Sequence, residues 1–251
     1  MNIPTDHPRY RSLKVREALS EMVDKGLVTQ TGLISHGRGE AFDYLMGEKS
    51  LASSLKAERA AAAYLLNARN PVVCVNGNAA ALDPENLILL AKEIPAKIEV
   101  NIFHRTEKRM ELLISHMEEN GAGEVLGREP DARIPGLSSD RALCTKKGIY
   151  DSDVILVPIE DGDRAKALAD MGKIVISIDL NPLSRTSKTA SVSISDEMTR
   201  ALENIIEAVR EMRGRQEIIE GTIRSFSNED NRKETVEGIC SSLMSEFNEG
   251  G

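Results

Sequence analysis

The chain has 251 residues, of which 41 % are hydrophobic and 29 % charged, a balance that excludes wholesale disorder and allows one large domain or two small ones. A net charge of −8 excludes a protein that coats nucleic acid, which needs a basic footprint, but leaves room for a local pocket of Arg and Lys around an anionic metabolite. Aromatic residues at 3 % and no Trp leave the core to Leu, Ile, Val, Ala and Met. Cys74, Cys144 and Cys240 show neither zinc spacing nor a disulfide framework, which suits a reducing compartment. The start, MNIPTDHPRYRSLKVRE, reads as no signal peptide, and no stretch approaches the roughly 18 apolar residues of a membrane span. A cytoplasmic protein is expected.

From the N-terminus, Leu13 to Lys25 reads as a helix stopped by Gly26, and Ser35 to Glu40 as a Gly-rich turn. Ser50 to Ala68 is an Ala-rich helix. Its small residues Ala57, Ala60, Ala61 and Ala63 predict a close-packed face, with a dimer interface as one use. Pro71 to Val75 is a short apolar strand, Pro84 to Glu93 a helix and Ile98 to Phe103 a second strand. Thr106 caps a helix to Glu119, and Glu124 to Leu126 is a weaker strand. After an irregular stretch near Pro130 to Gly136, Arg141 to Lys147 reads as helical. Val154 to Ile159 and Ile174 to Ile178 are buried strands around a helix from Arg164 to Met171. A short strand, Val192 to Ile194, precedes a helix capped by Asp196 and running to Met212. Beyond Gly214, Gln216 to Phe226 and Arg232 to Phe247 are polar helices with narrow apolar stripes, a tail that packs on the body or on a partner subunit.

Near-continuous apolar strands alternating with helices imply a parallel sheet covered on both faces. The expected architecture is an α/β, Rossmann-like, mainly parallel doubly wound sheet with a helical N-terminal region. It spans residues 1–213 as a single domain, followed by a helical C-terminal tail over 214–251.

Ligands of such sheets sit outside the carboxyl ends of the strands. There the first strand ends in Asn76-Gly77-Asn78, whose amides can bind a ligand while Gly77 admits its close approach; equally, the asparagines can tie the loop to itself around a tight turn. Asp179-Leu180-Asn181 ends a later strand and suits ribose hydroxyls or a base, and Arg185, Thr186, Ser187 and Lys188 follow in a polar loop that can complement phosphates. Arg38 stands between Gly37 and Gly39 and can reach a phosphate. His36 is a candidate general acid or base, although a lone His is more often a hydrogen-bonded structural group. Glu160, Asp161 and Asp163 could hold magnesium, but an acidic loop is usually just solvated. No GxGxxG, Walker A, GxSxG or Cys–His arrangement occurs.

Longer motifs go further. The run His7-Pro-Arg-Tyr-Arg-Ser-Leu-Lys-Val-Arg16-Glu17, then Gly32-Leu-Ile-Ser-His-Gly-Arg-Gly-Glu-Ala-Phe-Asp-Tyr44 with Gly47-Glu48, resembles archaeal phosphopantothenate synthetase, also called 4-phosphopantoate–β-alanine ligase. Val75 to Leu82, Asp179 to Ser187 and Asp196-Glu-Met-Thr-Arg-Ala201 resemble its further motifs, so the likeness covers roughly residues 1–212. Ser35, where the family pattern expects Ala, departs without touching a charged position.

The resemblance implies a Rossmann-like homodimer that converts ATP, 4-phosphopantoate and β-alanine to 4'-phosphopantothenate, AMP and diphosphate in coenzyme A biosynthesis, with Mg²⁺ arriving alongside the nucleotide. Carried onto this chain, it nominates Arg16, Arg38, Asp179, Leu180, Asn181, Arg185, Thr186, Asp196 and Glu197 for ATP. It nominates His7, Arg9, Asn76, Gly77 and Asn78 for phosphopantoate, and Arg38 and His36 for the chemistry. A non-catalytic adenine-nucleotide-binding regulator and a nicotinamide-dependent oxidoreductase are the alternatives on the same fold.

Overall fold

The computed structural model describes residues 4–7 and 9–248, with side chains described to residue 245; Pro8 of the first motif lies outside them. Two helices come first, α1 (Tyr10–Asp24) and α2 (Gln30–Leu45). Gly26 at φ +80° ends the first, as expected, because only Gly takes that conformation without a Cβ penalty. Thr29 caps α2 by accepting from the Gly32 amide at 3.1 Å. The expected turn over Ser35 to Glu40 is instead a stretch of this helix. Gly37 and Gly39 keep φ negative, and α2 is held along its length by side-chain bonds from Ser12 and Arg16 of α1 to Glu40. Tertiary packing overrides the intrinsic cost of about 1 kcal/mol per helical glycine.

The alternating part follows in order: α3 (Ala52–Leu66), β1 (Pro71–Val75), α4 (Gly77–Leu82), α5 (Pro84–Glu93), β2 (Lys97–Val100), α6 (Glu107–Glu119) and β3 (Val125–Leu126). A small hairpin, β4 (Ala132–Arg133) with β5 (Leu143–Cys144), precedes β6 (Val154–Pro158), α7 (Gly162–Asp170), β7 (Ile174–Ile178), α8 (Arg185–Thr189), β8 (Val192–Ile194) and α9 (Met198–Met212). The tail is α10 (Gln216–Ser225) and α11 (Asn228–Asn248).

All six main strands run parallel in the order β3-β2-β1-β6-β7-β8. The chain therefore winds outward from β1 and returns to β6 beside it, which puts the topological switch between these two strands. Side chains alternate faces along each strand. Val73 and Val75 join the large core with α3, α5, α6 and α9, whereas Val72 and Cys74 face the smaller core of α7, Ile134, Cys144 and Ile149. The alanines of α3 pack on α9 and β8 of the same chain, so that face is spent within the chain rather than offered to a second copy.

Two further expectations change. Arg141 to Lys147 is not a helix but a 3₁₀ turn at Asp140–Ala142, strand β5 and a wide turn at Lys146–Tyr150. Glu99 of β2, fully buried, accepts from the amides of Thr145 and Ile149 and from the Thr145 hydroxyl. Asn101 donates to the carbonyls of Arg141 and Leu143. These side chains satisfy the backbone groups that a helix would have paired internally. Likewise Arg185 to Lys188 is no loop but a short helix, capped by Ser184 accepting from Ser187 N at 2.9 Å.

The tail lies on the body. Thr235 of α11 donates to Ser53 of α3 at 2.9 Å, and Arg232 donates to the Pro182 carbonyl at 2.7 Å, bracing the segment that follows β7. Among the described residues no helix is long and apolar enough to cross a membrane.

Candidate active site

The switch between β1 and β6 opens two adjoining clefts at the carboxyl ends of the strands. The larger, about 580 Å³, lies between α2, the segments after β6 and β7, and the start of α9. The smaller, about 350 Å³, lies between the starts of α2 and α4, the segment after β2, and Arg141. Ser35, Ile159 and Asp161 line both, so the two cavities meet. Ile159, at their junction, has φ +53°, a conformation costly for a β-branched residue. It is held there by Asn76, whose Nδ2 donates to the carbonyls of Pro158 and Ile159 at 2.8 and 3.1 Å.

In the larger cleft stand His36, Arg38, Asp179, Leu180, Asn181, Arg185, Thr186, Asp196 and Glu197. Arg38 is exposed on α2 and forms no ion pair among the described residues; its charge acts on Asp179 across the cleft. Burial raises Asp179 above the usual carboxylate range, although Ser184 Oγ and the Asn181 amide donate to it. Asn181 accepts from Leu183 N at 2.9 Å, and the Thr186 hydroxyl donates to the Glu160 carbonyl at 2.7 Å. The loop is thus fixed by its own polar groups before a ligand enters. Arg185 pairs with Asp163 at the rim. His36 is pushed below the usual imidazole range by burial, and its Nε2 is buried without a partner.

Glu197, not Asp196, caps α9: its carboxylate accepts from Thr199 N at 3.0 Å and from Arg200 N at 3.2 Å. The Asp196 carboxylate is fully enclosed and turned towards Arg200, which also pairs with Asp43 of α2.

Of the second set, Asn76, Gly77 and Asn78 line the smaller cleft. Their scaffold roles are real. Asn76 Oδ1 caps α4 through Ala79 N at 3.0 Å, and Asn78 Nδ2 donates to the Gly32 carbonyl at 2.9 Å. At Gly77 an added Cβ would meet the Leu27 carbonyl oxygen at 2.5 Å. His7 and Arg9 do not join them. His7 Nδ1 accepts from the Arg9 amide, and the Arg9 guanidinium lies 4.9 Å from the Tyr44 ring. Tyr44 and Gly32 are twelve residues apart on α2, about 18 Å of helix, which separates the two groups. Arg16 also lies outside both linings, donating to Glu40 at 3.0 Å and to the Tyr44 hydroxyl at 2.7 Å.

The smaller cleft brings in residues that the sequence did not mark: Thr29, Thr31, His104, Arg109 and Arg141. Arg109 donates to the carbonyls of His104 and Leu27, both at 2.9 Å, and its charge meets no carboxylate among the described residues. Arg141, only 6 % exposed, donates to Glu160 and, at 2.7 Å, to Asp161, while its Nε is buried without an acceptor. Glu160 also holds the wholly buried Arg164. Burial pushes Glu160 up, but Arg141 and Arg164 outweigh it and hold the group below the usual range. Within the run at 160–163, Glu160 is thus enclosed between Arg141 and Arg164, while Asp161 and Asp163 are exposed and pair with Arg141 and Arg185. Among the described residues no group of three metal-binding side chains occurs. The one available sequence signal for Arg141 and Arg164 was Glu160 itself, an acid at the tip of an apolar strand, which needs a cation if it is buried.

A parallel sheet with paired clefts at its switch point, one floored by an acidic strand tip and one edged by arginines, defines a Rossmann-like α/β protein built around small-molecule ligands. The model of the family described as phosphopantothenate/pantothenate synthetase matches residues 53–242. The 4-phosphopantoate–β-alanine ligase of Methanosarcina mazei is 53 % identical over 238 residues, 95 % of this chain and 93 % of the relative. That of Thermococcus kodakarensis is 47 % identical, covering 87 % and 85 %, and that of Methanospirillum hungatei 47 %, covering 96 % and 98 %. The chain belongs to the phosphopantothenate/pantothenate synthetase family and is an enzyme.

Proposed function

We propose that the chain is an ATP-dependent 4-phosphopantoate–β-alanine ligase of coenzyme A biosynthesis, forming 4'-phosphopantothenate, AMP and diphosphate. The observation that carries this reading is the meeting of two clefts at Ile159, one sized for a nucleotide and one edged by cations suited to a second phosphorylated substrate. The larger takes ATP, with its sugar and base towards Asp179 to Asn181 and its phosphates towards Arg38 and Arg185. The smaller takes phosphopantoate, its phosphate met by Arg109 with the Thr29 and Thr31 hydroxyls and its carboxylate at the junction near Arg141. Magnesium enters on the nucleotide phosphates.

A carboxylate is a poor electrophile. Its oxygen attacks the α-phosphorus, diphosphate leaves, and the resulting acyl-adenylate accepts the β-alanine amine, which expels AMP and gives up a proton as the amide forms. Bringing anions together is the main barrier, and pre-placed guanidinium groups lower it by electrostatics and positioning. His36, kept neutral by burial, is the candidate to receive the amine proton.

The test mixes ATP, 4-phosphopantoate and β-alanine: AMP and diphosphate form only when all three are present. ATP binding without products would leave a nucleotide-binding regulator, and ADP in place of AMP would indicate an acyl-phosphate route. Oxygen isotope in the phosphopantoate carboxylate passes into AMP by the adenylate route and does not otherwise. Light scattering in solution reads the homodimer that the family resemblance implies.

A further inference from the structure

Beneath the larger cleft, α3 buries a carboxylate that is only half satisfied. Glu58 is 1 % exposed, on a helix whose buried face is otherwise mostly alanine. Its Oε2 accepts from Asn204 Nδ2 at 2.9 Å, but its Oε1 is buried and meets no donor among the described residues. The charged group it faces is another carboxylate, Asp196. Asp196 Oδ1 accepts from Arg200 Nε at 3.0 Å and Nη2 at 2.6 Å and from the Glu197 amide at 2.7 Å, while Oδ2 accepts from Ser50 Oγ. Two ionised carboxylates cannot share so enclosed a site, and one proton converts their repulsion into a hydrogen bond. Asp196 already collects the cation and the N–H donors, so the proton belongs on Glu58.

We propose that Glu58 is kept as the neutral acid and is a positioning residue for the larger cleft, its O–H donating to Asp196 and completing the shell that fixes the start of α9. The link to ligand binding rests on the reading of that cleft as the nucleotide site. Asp196 orders the Glu197 amide and the Arg200 side chain, and Glu197 and Met198 line the cleft. Burial first, and then the charge of Asp196, push Glu58 up to about 9, in keeping with the orphaned oxygen.

The surroundings leave an ionised Glu58 little to turn to. Arg200 of α9 is the nearby cation, and it is already shared between Asp196 and, from α2, Asp43. Lys56 and Arg59 of α3 itself point away, to Glu234 of α11 and Glu211 of α9, and the neutral Gln216–Asn67 bond between α10 and α3 lies at the far end of α3, nine residues on. Ionisation therefore sets two negative charges face to face under the cleft floor, and the start of α9 shifts.

The full-length chain is compared with Glu58→Gln, whose amide can donate to Asp196 and accept from Asn204 without titrating. Infrared difference spectra at neutral pH should show the carbonyl stretch of an un-ionised carboxylic acid that the variant lacks; its absence overturns the proposal. The amide resonances of Glu197 and Arg200 should titrate near pH 9, with Glu58, in the parent and stay still in the variant. Resonances that move equally in both, or in neither, overturn the positioning role. Affinity for a non-hydrolysable ATP analogue should match at neutral pH and fall about tenfold in the parent alone for each pH unit above that transition; parallel curves also overturn it. If neither protein binds the analogue at any pH, the nucleotide reading has failed, and the infrared and amide titrations still decide the state and action of Glu58. If the variant does not fold, the parent's own infrared band and amide titration decide.

Discussion

Replacing Glu160 with Gln tests a buried carboxylate that two buried arginines share. The carboxylate accepts from Arg141, from Arg164 and from the Asp161 amide at 2.7 Å, and both arginines are nearly inaccessible. Gln keeps the volume and one acceptor oxygen but removes the charge and points an N–H₂ at a guanidinium. Removing one partner of a buried ion pair costs about 3–5 kcal/mol, because the charge left behind stays desolvated. The single acceptor that remains argues for the lower end, about 3 kcal/mol, or roughly 6–12 °C in melting temperature for a chain of this size. Urea unfolding followed by circular dichroism measures it, with an unchanged slope expected. In the folded state the group titrates below the usual glutamate value of 4.5, so its contribution is present above that pH and is lost as pH falls through the folded value. The gap between parent and variant should therefore close on acidification below about 4.5. A loss under about 1 kcal/mol at neutral pH, or a gap that widens in acid, would refute the reasoning that Glu160 is the counter-charge of Arg141 and Arg164.

Arg38→Ala should leave the melting temperature unchanged, since the side chain is exposed and forms no ion pair among the described residues. It should lower kcat/KM by about 30-fold, or about 2 kcal/mol, the loss of a charge-assisted phosphate contact; near-normal turnover would remove Arg38 from the site. Gly77→Ala should destabilise by about 1–3 kcal/mol in urea, because its Cβ would sit 2.5 Å from the Leu27 carbonyl oxygen and backbone must move; an unchanged midpoint would contradict that contact. Burial lowers the His36 pKa, so the ring is mainly neutral at the usual histidine value of 6.5 and above and gains its proton only in more acidic solution. The acid limb of kcat/KM should lie below that value and disappear in His36→Gln, and a limb above 6.5 would show that the ring is not held as described.

The apolar runs Val72 to Val75, Ile155 to Val157 and Ile174 to Ile178 were legible because a strand buried on both faces has no polar positions to disguise it. The helix starts at Pro84 and Thr106 were equally plain; in the structure Asp83 and Thr106 each supply the side-chain oxygen that accepts from a first-turn amide. The turn expected at Ser35 to Glu40 failed for the opposite reason: Gly37 and Gly39 report only what the backbone is free to do. Contacts from Ser12 and Arg16 to Glu40 decided what it does.

The candidate site divides in the same way. Asp179 to Asn181 and Asn76 to Asn78 were legible as cleft candidates because they abut strand ends, where topology delivers the ligand crevice. Arg9 and Arg16 share their motifs but not their location, since they lie against Tyr44 and Glu40 of α2, and His7 is held to the Arg9 amide. Arg109 and Arg141 carried no local mark. An arginine on a helix or in an irregular segment looks the same whether it faces water or a cleft.

The sequence by itself determined the strands of the parallel sheet, most of the helices around it and the polar groups at the strand tips, all set by neighbours within a few positions. Only the tertiary structure decided that β6 returns beside β1, and with it the junction at Ile159, the pairing of Glu160 with two arginines and the enclosure of Glu58 against Asp196. Those arrangements join residues 19 to 138 positions apart in some pairs and 4 in another. Their energies come from burial and shared charge, which no local pattern records.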